Sequence, residues 1–438
     1  MSGGTNQASA GSGETPTPAV GWEGWDPRGW RSPIYVATVD IAEPIADLKC
    51  VRSLDPSYTA AWILVLDSGY PMGCVEVPVD GDVVSAEKIV HEIGRQIGSR
   101  TAAARPAPEA ALPRISVVIP TNLARPDQLQ RCAARLAELD YPDYEVIIVD
   151  NRPGGGPAAE FPGARVVREP VPGISAARNR GIDVATGEII AFTDDDVVAD
   201  RRWLRAIGMR FASEPDLAAL SGIVMPLELE TPAQVMYEQF GNCLERGLVP
   251  LTFERSGRFQ VLRRVPGTGS ERAGSLYKMG EFGQGANMAF RADALRARGG
   301  FDEALGTGTP THGGEDLTML VELLVTGHRL AYEPGAIIHH SHRATMEELE
   351  SQLHGYGIGF TAMLLGLAIR NPWHFVGLAS VIPAWLRTQR DPSEGKQSHR
   401  PDDYPQSLAR AELRGMLGGP AAYLRSCWIH RRRLRWSW

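Results

Sequence analysis

The 438-residue chain is 43% hydrophobic and 22% charged, a globular composition that excludes a disordered chain, a collagen or a small disulfide scaffold. Its 45 basic and 52 acidic side chains leave a net charge of −7, so there is no basic excess to wrap nucleic acid, and any phosphate must be held locally. Cys50, Cys74, Cys132, Cys243 and Cys427 are scattered without a CxxC pair, which argues against a disulfide framework or a zinc ribbon and suits a reducing cytoplasm.

Met1 to Ala19 contain no Lys or Arg and no apolar run, so they lack the parts of a secretory signal and read as the start of a disordered tail, residues 1–33. Short β-like runs at Ile34–Thr38, Ala60–Leu66 and Cys74–Val79, then a helix at Ser85–Ile97, predict a small α+β accessory domain, residues 34–98. The Ala/Pro-rich stretch 99–113 reads as a linker. The pattern then changes to strands alternating with helices. Ile115–Pro120 and Glu145–Asp150 are continuous apolar runs, as buried parallel strands require, with a helical repeat at Leu129, Cys132, Ala133 and Leu136 between them. A short strand at Arg165–Arg168, a helix at Ile174–Ala185 and a buried strand at Glu188–Thr193 follow. Ligands in such sheets sit at the carboxyl ends of the strands, which places Thr121, Asp150 and the triplet Asp194, Asp195 and Asp196 in one candidate cleft.

Three consecutive carboxylates at the tip of a buried strand repel one another and call for a cation. Mg or Mn, which takes carboxylate and diphosphate oxygens together, suits them; a polar turn is the plainer alternative. Further on, the Gly/Thr-rich segment Thr307–Asp316 ends in Glu315 and Asp316, and Leu317, Leu320, Val321 and Leu324 mark an amphipathic helix behind it. Capping accounts for one acid there, and two after a pair of glycines point to chemistry. The run Ala336–Arg343 reads as a strand ending in His339, His340 and His342. A zinc site is the alternative there, but the spacing fits no usual His/Cys pattern, and one imidazole joining an aspartate-bound cation is chemically sensible.

In order, ISVVIPT, VIIVDN, AARNRG, IIAFTDDD, GANMAFR with GGFDE, GGED and IIHHSHR resemble the family 2 glycosyltransferases over about Pro113 to Arg343. The resemblance implies an α/β fold, a nucleotide-sugar-binding A-type sheet with helices on both faces, spanning a catalytic domain of residues 114–343. It implies that Thr121 and Asp150 contact the nucleoside, that Arg178 lies near the base or the phosphates, and that Asp194 and Asp195 sit on the cofactor side. It further implies that Asp196 is the direct metal ligand with His340 completing the site, and that Asp316, beside Glu315, is the catalytic base. The donor is then a nucleoside-diphosphate sugar, the cofactor Mg or Mn, and the reaction inverting transfer to an acceptor hydroxyl that is lipid-linked, glycan or small natural product. Two segments depart from the family pattern. Thr121-Asn122-Leu123-Ala124-Arg125-Pro126 replaces a Thr-Tyr-Asn-Arg run, and Asn151-Arg152-Pro153 follows Asp150 where Asp/Asn-Gly-Ser is usual. Nucleotidyl transfer on a similar sheet is a rival, but no Gly-rich phosphate loop stands near the first strand; a non-catalytic nucleotide-sugar-binding protein is another.

Residues 344–438 read as a helical C-terminal region. Gln352–Ile369 and Asn371–Leu386 carry no charged residue other than histidine, but neither reaches the ~20 solidly apolar residues of a spanning helix, so a buried or interfacial pair is expected. The tail from Ala421 interleaves Arg425, Arg431, Arg432, Arg433 and Arg435 with Tyr423, Trp428, Trp436 and Trp438. It suits an anionic membrane surface or a solvated basic end. The chain is thus expected in the cytoplasm, in peripheral contact with the inner membrane face.

Overall fold

The computed structural model describes residues 31–52, 56–98, 111–156, 160–241, 247–265, 269–277, 283–380 and 405–436. Most of the expected tail and linker, Cys243, the end of the Asn371–Leu386 segment and Trp438 lie outside these residues. In the N-terminal unit, β1 (Ile34–Asp40) pairs parallel with β3 (Ala60–Asp67), which pairs antiparallel with β4 (Tyr70–Pro78). A ribbon of β2 (Leu48–Lys49) and β5 (Val83–Val84) precedes α1 (Ala86–Gln96). Alternation along β3 gives the small sheet two buried faces. Ala61, Ile63 and Val65 join Val75, Val77 and Ile89 in a local core, whereas Trp62, Leu64 and Leu66 belong to the main core of the molecule. The unit therefore packs against the rest of the chain through half of its central strand.

The central sheet comprises β6 (Ile115–Thr121), β7 (Tyr144–Asp150), β8 (Ala164–Arg168), β9 (Ile189–Thr193), β10 (Val197–Ala199), β11 (Leu217–Pro226), β12 (Leu251–Arg255), β13 (Gln260–Val265), β14 (Gly269–Ser275), β15 (Asn287–Arg291) and β16 (Arg329–His340). Its order is β14-β13-β12-β16-β11-β15-β9-β6-β7-β8, with β10 also paired to β16. The expected strands β6 to β9 are parallel neighbours, while β15 joins β9 and β11 antiparallel. The helices are α2 (Pro126–Leu136), α3 (Ile174–Val184), α4 (Trp203–Ser213), α5 (Pro232–Gly241), α6 (Ala292–Ala297), α7 (Glu315–Val325), α8 (Met346–Arg370) and α9 (Gln406–Trp436). Leu129, Cys132 and Leu136 of α2 and Trp203, Ile207 and Phe211 of α4 cover one face of the sheet with Val117 and Ile119. Ala177 and Ile182 of α3 and the apolar side of α7 cover the other with Val118 and Val149. The fold is the expected mixed α/β sheet with helices on both faces and a helical C-terminal region.

One expectation changes. β16 starts at Arg329 rather than Ala336 and ends at His340, so His342 and Arg343 lie beyond the strand. α8 packs along α9, and of the segment that follows α8 the described residues 373–380 are helical. The two helices run parallel, since His354 meets Ala411 and Gly415 while Gly366 meets Tyr423. A Cβ at Gly357 would lie 2.0 Å from the Glu412 carbonyl oxygen and one at Gly415 2.0 Å from that of His354, so glycine allows the backbones to touch. Pro420 inside α9 cannot donate to the Met416 carbonyl, and Thr361 Oγ1 donates to it instead at 2.7 Å. By length and composition α8 is apolar enough to cross a membrane, yet half of that stretch is buried within the protein.

Candidate active site

Parallel register between β6 and β7 sets Thr121 opposite Asp150, so the strand ends deliver both, buried, to one edge. Thr121 Oγ1 donates to Asp195 Oδ2 at 2.5 Å. Asp150 is gripped by Arg152, whose Nε and Nη2 donate to its two carboxylate oxygens at 2.9 and 2.7 Å. That fork holds the Asp150 carboxyl below the usual carboxylate range, against the opposing effect of burial. Asn151 donates to the carbonyls of Glu169 and Val171 and accepts from the Gly173 amide, pinning the turn into α3. At the departure from the family pattern after Asp150, Arg152 thus closes over the carboxylate, while Asn151 ties down the loop.

After β9 the chain turns through the aspartate triplet into β10, whose antiparallel pairing with β16 sets Val197 opposite His340. This brings Asp196 beside the imidazole, with His340 Nε2 3.2 Å from Asp196 Oδ1. Ligand atoms of Asp194, Asp196 and His340 all lie within 4.8 Å of one another. Arg125 donates to Asp196 Oδ2 at 2.9 Å, and Arg343 stands 3.9 Å away. Burial pushes the Asp194 carboxyl up to about 6; the Arg178 and His340 cations oppose this, and the Asp196 and Asp195 charges add to it. At Asp196 burial also raises the pKa, but His340 and Arg125 outweigh it and hold the group low. Burial would lower His340, but the Asp196 carboxylate overcomes it and lifts the imidazole above its ordinary value. Two hard oxygens and one imidazole, held close against carboxylate repulsion, are a donor set that fits a divalent Mg or Mn ion.

Strand alternation disposes of the three-histidine alternative. His339 faces the opposite side of β16 from its neighbour and meets Thr38 Oγ1 at 3.3 Å. His342 stays with His340, their Nδ1 atoms 3.4 Å apart, and its Nε2 donates to the buried carboxylate of Glu238 at 2.5 Å. Tyr237 lies over the His342 ring with centroids 4.4 Å apart. The segment leading into α5 is held from the N-terminal unit, by the Arg52 and Tyr58 side chains on Glu230 and by the Ile34 amide on the Leu229 carbonyl.

Glu315 and Asp316 open α7 behind Gly314, which has φ +92° and would place a Cβ 2.6 Å from the Gly359 carbonyl oxygen of α8. Only glycine suits both demands. The two acids diverge from there. Glu315 is buried against Arg178 at 2.7 Å; burial and then the Asp316 charge push its carboxyl up to about 7, Arg178 opposing. Asp316 is half-buried, and its Oδ1 accepts from the Leu317 amide at 2.8 Å. A Cβ on Gly285 would come within 3.0 Å of both Asp316 Oδ2 and Arg178 Nη2, so this glycine leaves room for the acid and the arginine.

Arg178 differs from expectation. It is 1% exposed, with its guanidinium 6.0 and 5.5 Å from the ring centres of Phe192 and Phe301. It bonds Glu315 and comes within 3.7 Å of Asp194. It stands behind the acids and joins the two acidic groups, and it is not open towards a base or phosphate. Its neighbour Asn179 exchanges hydrogen bonds with the Phe301 backbone, and Asn287 bonds Ile223, Ala336 and Trp203, so those motif residues hold the elements together. The sequence reading missed Arg125, Glu238 and Tyr237. It also missed Tyr356 of α8, whose hydroxyl meets Gln352 at 2.8 Å and Tyr237 at 3.2 Å.

Residues 116–295 match the family model described as glycosyl transferase family 2. The pre-mycofactocin glycosyltransferase of Mycobacterium tuberculosis is 28% identical over 303 residues, 67% of this chain and 56% of that protein. The glucosyl-dolichyl phosphate glucuronosyltransferase of Haloferax volcanii is 25% identical over 173 residues, 38% of this chain and 47% of that protein. The chain thus spans about half the length of the curated relatives it matches. Among solved structures, the mannosyltransferase PcManGT from Pyrobaculum calidifontis, in complex with GDP-Man and Mn2+, covers 72% of this chain and 89% of its own at 17% identity, with a TM-score of 0.43.

Proposed function

We propose that the chain is a metal-dependent, inverting glycosyltransferase that moves a sugar from a nucleoside diphosphate to an acceptor hydroxyl. The observation that carries this reading is Arg178, which ties Asp194 of the metal-ligand group to Glu315 of the acid pair and so makes one site of two motifs. Asp316 removes the acceptor proton as that oxygen attacks the anomeric carbon from the face opposite the diphosphate, which inverts the centre. Asp194, Asp196 and His340 would hold a Mg or Mn ion, which would supply positive charge against the departing diphosphate. Glu315 spends its charge on Arg178 and fixes the first turn of α7. Thr121, Asp195 and Asp150 form the nucleoside end, where Asp150 accepts from the base once the Arg152 fork swings aside.

The acceptor is a lipid-linked, glycan or small natural-product hydroxyl, and the relative named for a dolichyl phosphate keeps the first within the class. We place the accessory unit at residues 34–98, the catalytic domain at 114–343 and the C-terminal region beyond it, and the protein in the cytoplasm with peripheral contact at the inner membrane face. The test is a thermal-shift screen of nucleotide sugars with Mn or with a chelator, since a donor that binds only the folded state raises the melting temperature. Transfer from the best donor should then give the inverted anomer by NMR. No stabilisation by any nucleotide sugar in Mn, or a retained anomer, would overturn the reading.

A further inference from the structure

One face of α9 is apolar and exposed where a helix packed on a protein core would present polar side chains. Leu413, Leu417, Leu424 and Trp428 are 49%, 81%, 57% and 55% exposed. Their spacing of four, seven and four residues sets them within an arc of about 60° at 3.6 residues per turn. The opposite side carries Leu408, Ala411, Gly415, Gly419, Tyr423 and Ser426, all buried, most of them against α8. The stripe is therefore the outer face of a helix whose inner face is already committed.

The charge that α9 itself carries around the stripe has one sign. Arg410, Arg414, Arg425 and Arg431 are exposed and fall along or beside it, and Arg432, Arg433 and Arg435 continue the run in sequence. The sole acid of α9, Glu412, is set towards the α8 side, where its carbonyl meets Gly357. Arg414 reaches Glu350 at 3.2 Å, but both side chains are exposed and such a pair contributes little. A stripe of leucines ending in a tryptophan, bordered by arginines, matches a surface with an apolar interior and anionic headgroups. A second copy of the chain fits poorly, because pairing the stripes brings arginine rows against arginine rows.

We propose that the outer face of α9 is a membrane-docking surface that lies in the headgroup region of an anionic bilayer. The inserting element is then α9, while α8, packed between α9 and the loop before Glu315, remains inside the protein. This deepens the peripheral contact proposed above and needs neither donor nor cation, so it can fail while the transferase reading stands.

The experiment is flotation of the full chain with phosphatidylcholine vesicles, with or without phosphatidylglycerol, at low salt and in 1 M salt. Binding is expected to the anionic vesicles at low salt and to be lost in 1 M salt, where the Debye length falls to about 3 Å. Each exposed arginine changed to glutamine should weaken partition about fivefold, and the Arg410, Arg414, Arg425 and Arg431 quadruple variant several hundredfold. Leu417→Gln with Leu424→Gln should abolish flotation with the melting temperature held, because both side chains are exposed. Failure of the wild-type chain to float with anionic vesicles, equal binding to neutral vesicles, or binding untouched by these variants overturns the proposal. A concentration-dependent dimer in sedimentation velocity that the leucine variant dissolves also overturns it, in favour of self-association.

Discussion

Replacing Arg178 by methionine removes the cation buried beside Glu315 and Asp194 while keeping most of the side-chain length. The consequence depends on pH with a definite sign. In the folded protein the Glu315 carboxyl is raised to about 7 from an unfolded value near 4.5. Its contribution to stability is therefore fully present below the unfolded value and is lost as pH rises through 7. Without Arg178 the carboxyl keeps its proton to higher pH still, so the same linkage reaches further. At pH 5.5 the group is largely protonated in both folded proteins, and the substitution should cost only what the altered packing costs. At pH 8.5 the wild type recovers part of the penalty by ionising against Arg178, whereas the variant cannot; the extra loss is about 2 kcal/mol, roughly thirtyfold in the folding equilibrium. Asp194, also raised and also opposed by Arg178, adds in the same direction. Urea unfolding of both proteins at the two pH values measures the difference directly, and adding Glu315→Gln to the variant should remove most of the pH dependence. An equal loss at pH 5.5 and 8.5 would refute the argument, because it would mean that Arg178 acts by packing alone.

Three other substitutions probe the site. Asp316→Asn should keep the fold and donor binding and lower turnover by ~10²–10⁴-fold, since the amide cannot take a proton; near-wild-type turnover would make Asp316 a helix cap. Glu238→Leu removes the acceptor for His342 Nε2 and should weaken Mn affinity by ~10–100-fold, with Glu238→Gln retaining most of it; calorimetric titration showing the leucine variant unchanged would exclude a role in orienting the histidines. Gly314→Ala forces a left-handed backbone and a 2.6 Å approach to Gly359, at a cost of about 2–4 kcal/mol in denaturant unfolding; a loss below about 0.5 kcal/mol would show that the loop and α8 adjust.

The parallel half of the sheet was legible because β6, β7 and β9 are buried on both faces and so are written as unbroken apolar runs. Their ends then name Thr121, Asp150 and the aspartate triplet. The junctions that complete the sheet were not legible: β15 meets β9 and β11 antiparallel across long separations, and nothing local in Leu217–Pro226 or Leu251–Arg255 states a partner. Asp196 and His340 were named from their motifs, yet their contact depends on β10 pairing with β16, a tertiary fact. An arginine in a helix does not declare its burial, so Arg178 was read as facing a ligand when two phenylalanines and Glu315 enclose it. The glycines of α8 have no local rationale in an apolar helix; in the fold Gly357 is where the α9 backbone touches and Gly359 is where the Gly313–Gly314 turn touches. Tyr356 and Glu238 lay outside every quoted motif and carried no local signal.

The most direct test is calorimetric titration of the full chain with Mn, and then with UDP or GDP in its presence, for the wild type and for Asp196→Ala. The expected result is one Mn site, diphosphate binding that requires Mn, and loss of both in a variant that still folds. Diphosphate binding of equal affinity with chelator, or undiminished in Asp196→Ala, would contradict the assignment of Asp194, Asp196 and His340 as the cation site.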